Sequence, residues 1–182
     1  MKNEISKVEK GQLSIKKRQL PAQGRVKKTP ARVEGEDVLK DALDDLTCRM
    51  LISEALTGMK NSYSPYSDFK VGAALMCDDR QVFKGCNLEN SAFSPTICAE
   101  RVAFSKALSE GKRKFCAIAI VGGKAEGDNK VLHRFTPPCG VCMQFMCEFV
   151  NPLNFFVIIA KSEDDYRIYT LNELMPIGFK LT

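Results

Sequence analysis

The sequence contains a single histidine, His133, in 182 residues. Metal centres built from several imidazoles and Ser-His-Asp hydrolysis are therefore poor candidates. No run of about 18 apolar residues occurs, so nothing in the sequence reads as a membrane span. The N-terminus also lacks the apolar stretch of a secretory signal. There is no internal repeat. Gly122-Gly123 follows an apolar run but lacks the wider pattern of a phosphate-binding loop, and reads as a turn.

Cysteine, by contrast, is plentiful. Eight cysteines without a secretory signal imply a reducing compartment, taken as the cytoplasm, where thiols stay free or bind metal. Cys48, Cys77, Cys86, Cys116 and Cys147 read as free thiols packed as small hydrophobes. The net charge is unevenly spread. Residues 1–32 hold ten Lys or Arg and two Glu, a net of +8. With +5 for the whole chain, residues 33–182 carry −3. The basic character belongs to the tail, and the count argues against a polyanion-binding domain.

Residues 1–35, with scattered basic side chains and no sustained period, read as a disordered extension. Residues 36–182 form the domain. A helix is expected from about Glu36 to Lys60, with Glu36 and Asp37 favouring its N-terminus. Leu39, Leu43, Leu46, Met50, Leu51, Ala55 and Met59 form its apolar face. Residues 61–67 break it as a Ser- and Pro-rich loop. Residues 70–77 and 81–86 read as a hairpin turning at Asp78-Asp79-Arg80, with Gly72 marking a close backbone approach. Helices are expected over 98–109 and 139–150. Further strands are expected over 116–121, 155–160 and 166–171, with a long polar crossover over 122–138. Strands alternating with helices imply an α/β domain with helices on both faces of a mixed sheet.

Two short stretches carry the chemistry. Thr96-Ile97-Cys98-Ala99-Glu100-Arg101 and Pro137-Pro138-Cys139-Gly140-Val141-Cys142 together offer three sulfur ligands and one carboxylate. The Cys139-x-x-Cys142 pair alone suits redox sites and structural zinc as well. Three ligands leave the fourth tetrahedral position open for water, as a catalytic Zn²⁺ requires, and Glu100 can handle that water's proton. Both ligand groups should start helices, where the N-terminal dipole lowers thiol pKa. Arg101 is the expected donor to Cys98 or Cys139, withdrawing charge from the thiolates. The rival is a closed structural site with His133 as fourth ligand.

First ligand, x-Glu, then Pro-Cys-x-x-Cys is the layout of the zinc nucleobase deaminases. Four blocks make the resemblance more specific: Ser64-Pro65-Tyr66-Ser67-Asp68-Phe69-Lys70-Val71-Gly72-Ala73-Ala74-Leu75, Gly85-Cys86-Asn87-Leu88-Glu89-Asn90, residues 97–101 and residues 138–144. Over residues 38 to 182 the chain resembles cytidine deaminases of the small, usually homotetrameric, three-cysteine type. The resemblance implies a three-layer α/β/α cytidine-deaminase-like domain with a five-stranded mixed sheet. It implies hydrolytic deamination of cytidine and deoxycytidine to uridine and deoxyuridine with release of ammonia, a pyrimidine-salvage reaction. Glu100 would be catalytic and Cys98, Cys139 and Cys142 would bind Zn²⁺. Asn87 and Glu89 match positions that hydrogen-bond the ribose, and Phe69 matches an aromatic that packs on the base. Phe179 resembles a terminal phenylalanine that enters a neighbouring subunit's site, and Phe93 stands where relatives often have a tyrosine. The sequence departs from the family at Met143, where Cys-Arg-Gln is usual and Cys142-Met143-Gln144 stands here.

Two other readings were weighed. An editing deaminase must admit a polymer strand along basic and aromatic contacts, and only the tail argues for that. Blasticidin-S deaminase shares the zinc motif, but Asn87-x-Glu89-Asn90 favours the pyrimidine ribonucleoside.

Overall fold

The structure, a computed structural model, describes residues 43–124 and 132–180. The extension over 1–35, the expected helix start at Glu36 and residues 125–131 of the polar stretch after Lys124 lie outside the described residues. Five strands form one mixed sheet: β1 (Phe69–Cys77), β2 (Val82–Cys86), β3 (Phe115–Lys124), β4 (Phe156–Ala160) and β5 (Tyr166–Thr170). Their spatial order is β2-β1-β3-β4-β5. The β3–β4 pair is parallel and the rest are antiparallel. The helices are α1 (Asp45–Met59), α2 (Ala99–Ser109), α3 (Gly140–Phe149) and the one-turn α4 (Leu171–Leu174).

Alternation along the central strands divides the core in two, as a period of two residues must when both faces are covered. Ala73, Leu75, Ile118, Ile120, Val157 and Ile159 face one way, packing with Ala103 and Phe104 of α2 and Met146 of α3. Ala74, Met76, Ala117, Ala119, Val121 and Ile158 face the other, against Cys48, Leu51, Ile52 and Ala55 of α1. This is the expected three-layer α/β/α arrangement.

The first helix corrects the sequence reading. It starts at Asp45, with Asp44 in extended conformation as its cap, accepting from the Thr47 amide at 2.6 Å. A side-chain oxygen at this position satisfies one of the helix's unpaired amides, and Asp44 supplies it. The buried face is also rotated. Thr47, Cys48, Leu51, Ile52, Ala55 and Gly58 are buried, whereas Leu46 is 75% and Met50 38% exposed. The sheet sets this phase. A side chain at Gly72 would put its Cβ 2.0 Å from the Ala55 carbonyl, so helix backbone lies directly on β1.

Gly122 and Gly123 are strand residues rather than a turn, paired with Val71 and Lys70 of β1. Their missing side chains make room for Thr136 and Leu132 of the returning chain. The hairpin turn falls where expected, with Arg80 in the left-handed region (φ 66°). After β5 the chain forms α4 instead of ending, closed by a reciprocal cap between Thr170 and Glu173.

A second close approach bears directly on function. A Cβ at Gly85 would lie 2.1 Å from the Ala99 carbonyl and 2.6 Å from the Ala103 amide nitrogen, so α2 rests on β2 through this residue. Gly85→Ala should therefore push α2 outward, costing about 1–3 kcal/mol as overpacked substitutions do. Gly140→Ala meets nothing within 4 Å and should be tolerated. Thermal unfolding of the two variants checks this: an unchanged Tm for Gly85→Ala would contradict the contact.

Candidate active site

The C-terminal ends of β2 and β3 meet the N-terminal end of β1, with Gly72 opposite Cys86 and Phe69 opposite Lys124. The chain leaving β2 passes Asn87 and Glu89 and is stitched into place by Leu88. Leu88 bridges Tyr63 on one side and Ile97 on the other. The next residue, Cys98, is the N-cap of α2, in extended conformation. Cys139 likewise caps α3, its sulfur accepting from the Cys142 amide at 3.4 Å. Helix starts leave amides unpaired and carry the positive end of the dipole, so they favour anionic sulfur.

The structure brings the three cysteines together. The Cys98, Cys139 and Cys142 sulfurs all lie within 4.8 Å of one another, Cys98 and Cys139 at 3.9 Å. Among the described residues no fourth His, Cys, Asp or Glu joins this group. His133 is exposed and outside it, so the closed four-ligand arrangement finds no support. Three soft donors with an open position suit Zn²⁺ chemically.

Electrostatics divides the sulfurs. Hydrogen bonds from the Cys142 and Cys139 thiols, with the Arg101 guanidinium beside it, outweigh burial and hold the Cys98 thiol well below its usual range. Cys142 is pushed strongly the other way, by giving its proton towards Cys98 and by burial. Burial acts against the Arg101 charge, but the Cys98 and Cys142 sulfurs more than offset it. Arg101 also donates from Nη2 to the Thr96 carbonyl at 3.0 Å, while its buried Nε has no partner. Cys48 and Cys77 differ in kind: both are buried and their thiols are raised to about 11, chiefly by desolvation.

Glu100 lies in the first turn of α2 and is 3% exposed. Burial lifts its carboxyl to about 7, against a weaker pull from its own backbone amide. A carboxyl poised there can take and return a proton near neutral pH.

The remaining predicted residues line the same end of the sheet with different degrees of freedom. Asn87 is committed within the fold. Its Oδ1 accepts from the Val71 amide (2.8 Å) and the Ser62 hydroxyl, and its Nδ2 donates to the Phe69 carbonyl (2.9 Å). Glu89 accepts from the Tyr66 and Ser67 amides and the Ser67 hydroxyl, which hold its carboxyl below the usual range. Phe69 is half-buried beside Gly122 and Thr136, with the Arg134 guanidinium 4.6 Å over its ring. Phe179 is 68% exposed. Phe93 is 77% exposed on a left-handed backbone (φ 56°). Ser62, Ser67, Arg134 and Gln144 carry no role readable from sequence; Ser67 and Gln144 stand in blocks that carry the resemblance, and Ser62 stands in the helix-breaking loop.

A buried carboxylate beside three sulfurs at two helix N-termini, on an α/β sheet, defines the class of metal-assisted hydrolytic nucleobase deaminases. Comparison with known proteins narrows the class. Residues 47–157 match the cytidine and deoxycytidylate deaminase zinc-binding region. Cytidine deaminase of Halalkalibacterium halodurans is 43% identical over 131 residues, covering 72% of this chain and 92% of the relative. That of Sporosarcina psychrophila is 42% identical over 129 residues, 71% and 88% of the two chains. The crystal structure of cytidine deaminase from Burkholderia pseudomallei superposes with a TM-score of 0.64 at 39% identity, over 71% of this chain and 97% of that one. The chain belongs to the cytidine and deoxycytidylate deaminase family.

The raised Glu100 pKa fixes a sign for stability. The metal-free fold binds a proton there that the unfolded chain releases near the ordinary carboxyl value of 4.5. Stability from this group is therefore fully present below about 4.5 and is lost as pH rises through about 7. Metal-free Glu100→Gln should thus melt higher than metal-free wild type at pH 8, and the gap should shrink at pH 5. Calorimetry at both pH values checks it; a gap that grows at pH 5 would reverse the assignment.

Proposed function

We propose that the protein hydrolyses the exocyclic amine of cytidine and deoxycytidine, giving uridine or deoxyuridine and ammonia, in pyrimidine salvage. The observation that carries this reading is the convergence of three cysteine sulfurs beside the buried Glu100 carboxyl. Cys98, Cys139 and Cys142 would hold Zn²⁺, which when bound supplies a water of lowered pKa. Glu100 accepts the proton of the attacking water and delivers it to ring N3 as oxygen bonds to C4. It then carries a proton to the departing amine, so water is consumed and ammonia released. Arg101 and the two helix starts offset the charge of three thiolates. Phe69 packs on the base, and Asn87 and Glu89 hold the ribose hydroxyls, with Ser62, Ser67 and the backbone fixing both side chains beforehand.

The reading extends to a homotetramer whose neighbours complete each site. Supporting it are Phe93, Ile177 and Phe179, apolar side chains 77%, 89% and 68% exposed. The free thiols favour the cytoplasm. Among the described residues no helix is long and apolar enough to cross a membrane. The charge of −3 over residues 33–182 favours a free nucleoside over a nucleic acid strand.

Ammonia release from cytidine by the zinc-loaded protein tests the assignment. Glu100→Ala should keep its zinc, measured by metal analysis, while turnover falls by at least about 10²-fold, the lower bound for a lost general acid–base. Retained activity would remove Glu100 from the proton path.

Met143 gives a second test. It follows the third sulfur ligand and packs half-buried against the α2–α3 core. With no cation there, the thiolates keep more charge and the zinc water stays less acidic. Met143→Arg should raise turnover and move the rising limb of the pH–rate profile to lower pH. An unchanged rate and profile would contradict this.

A further inference from the structure

The C-terminal segment is fastened to the helix that starts at the metal ligands. Gln144 lies two residues beyond Cys142 on α3. Its Nε2 donates to the Phe179 carbonyl at 2.7 Å, and its Oε1 accepts from the Phe179 amide at 3.4 Å. One side-chain amide thus satisfies both backbone groups of one residue, as a neighbouring strand would. One turn further along the same helix face is Cys147. A Cβ at Gly178 would lie 2.8 Å from the Cys147 sulfur, so the segment is pressed on α3 at two successive points. The fastening holds backbone only: the Phe179 ring and Ile177 stay exposed at 68% and 89%. A segment pinned by its backbone while presenting apolar side chains outward is shaped for a surface of another molecule.

We propose that Gln144 is a positioning residue: it fixes the backbone of Phe179 so that the ring is delivered, already ordered, into the substrate site of a second copy of this chain. The inference rests on the reading that Phe179 completes a neighbour's site. Gln144 adds no contact to the substrate. Its contribution is ordering, because a segment held in its bound geometry loses less entropy when it docks. The same helix that carries Cys139 and Cys142 at its start carries the neighbour's phenylalanine on its flank. Displacement of α3 at one zinc site is thereby felt in the next subunit's pocket.

The test is a double-variant cycle in steady-state kinetics on cytidine with the full-length zinc enzyme. Gln144→Leu should raise KM about tenfold, the size expected for losing one good hydrogen bond's worth of ordering, with kcat less affected. Zinc content and subunit count should not change. In a Phe179→Ala background, adding Gln144→Leu should have no further effect, since the two act through one group. Gly178→Ala should reproduce the KM defect by its clash, and Cys147→Ala placed on top should restore it, because the nearest atom left is Cβ at 3.7 Å. Multiplying effects of Gln144→Leu and Phe179→Ala, zinc loss in Gln144→Leu, or an unmoved KM would each overturn the proposal. A raised KM in Phe179→Ala beside an unmoved KM in Gln144→Leu overturns the proposal alone, whereas a Phe179→Ala variant of an active wild type that keeps its KM overturns the reading of Phe179 together with the proposal and leaves the deaminase assignment standing. A wild type that releases no ammonia overturns the deaminase reading and the proposal with it.

Discussion

Like charges crowd the centre of this molecule, and its architecture is organised around holding them. Three sulfurs that must lose protons to bind metal lie within 4.8 Å of one another, next to a carboxyl shut away from water. Left to themselves these groups would stay protonated, since charges at such distances repel strongly in a low-dielectric interior. The fold offsets this with fixed positive potential. Both helix starts point at the sulfurs, and the Arg101 guanidinium lies alongside. That compensation lowers the Cys98 thiol, while the hydrogen bond to Cys98 and burial raise Cys142. A divalent ion supplies the remaining charge, and its binding must release protons.

Holding two helix starts against one sheet end is a packing problem. The solution at β2 is to delete a side chain. Gly85 lets α2 rest on strand backbone, which sets the height of Cys98 and Glu100 above the sheet. Gly72 does the same for α1 on the opposite face. The loop between β2 and α2 is then short of freedom, because Leu88 bonds to both Tyr63 and Ile97. Asn87 and Glu89 are caught between these fixed points. Their side chains spend their hydrogen bonds on Ser62, Ser67, Val71 and Phe69, so both are fixed within the fold.

What the sequence disclosed follows the range of the interactions involved. The strands β1, β3 and β4, the turn at Asp78–Arg80 and the helices after Cys98 and Cys139 rest on local pattern, and all were legible. The first helix was legible as a helix but not in its phase. Leu46 and Met50 satisfy the same three- and four-residue spacing as Leu51 and Ala55, and only contact with β1 at Gly72 selects the latter. Gly122 and Gly123 read as a turn because glycine is the commonest punctuation of a chain. Their real cause, the side chains of Leu132 and Thr136 crossing above them, lies nine and fourteen residues away. The cysteines and Glu100 could be found because metal ligation demands particular residue types at particular spacings. Gln144 and Ser62 carry no such demand. Nothing local marks them out from other polar residues, because their partners are set by tertiary structure.

The same distinction separates the two ends of α3. At its start, chemistry constrains residue identity: Cys139 and Cys142, with Cys98, form a group that could hold a metal ion through its sulfurs. Along its flank, shape dictates it: an amide at position 144 matches a peptide group, and glycine at 178 clears a sulfur. Met143 stands between these regimes, adjacent to a ligand yet packed against Phe-rich core, where Phe104, Phe145 and Phe149 meet within about 6 Å of one another. A cation there would ease the thiolate charge but would have to leave that apolar contact to do so. Methionine gives up the electrostatic help and keeps the packing, which leaves Arg101 and the helix starts to carry the charge of three sulfurs.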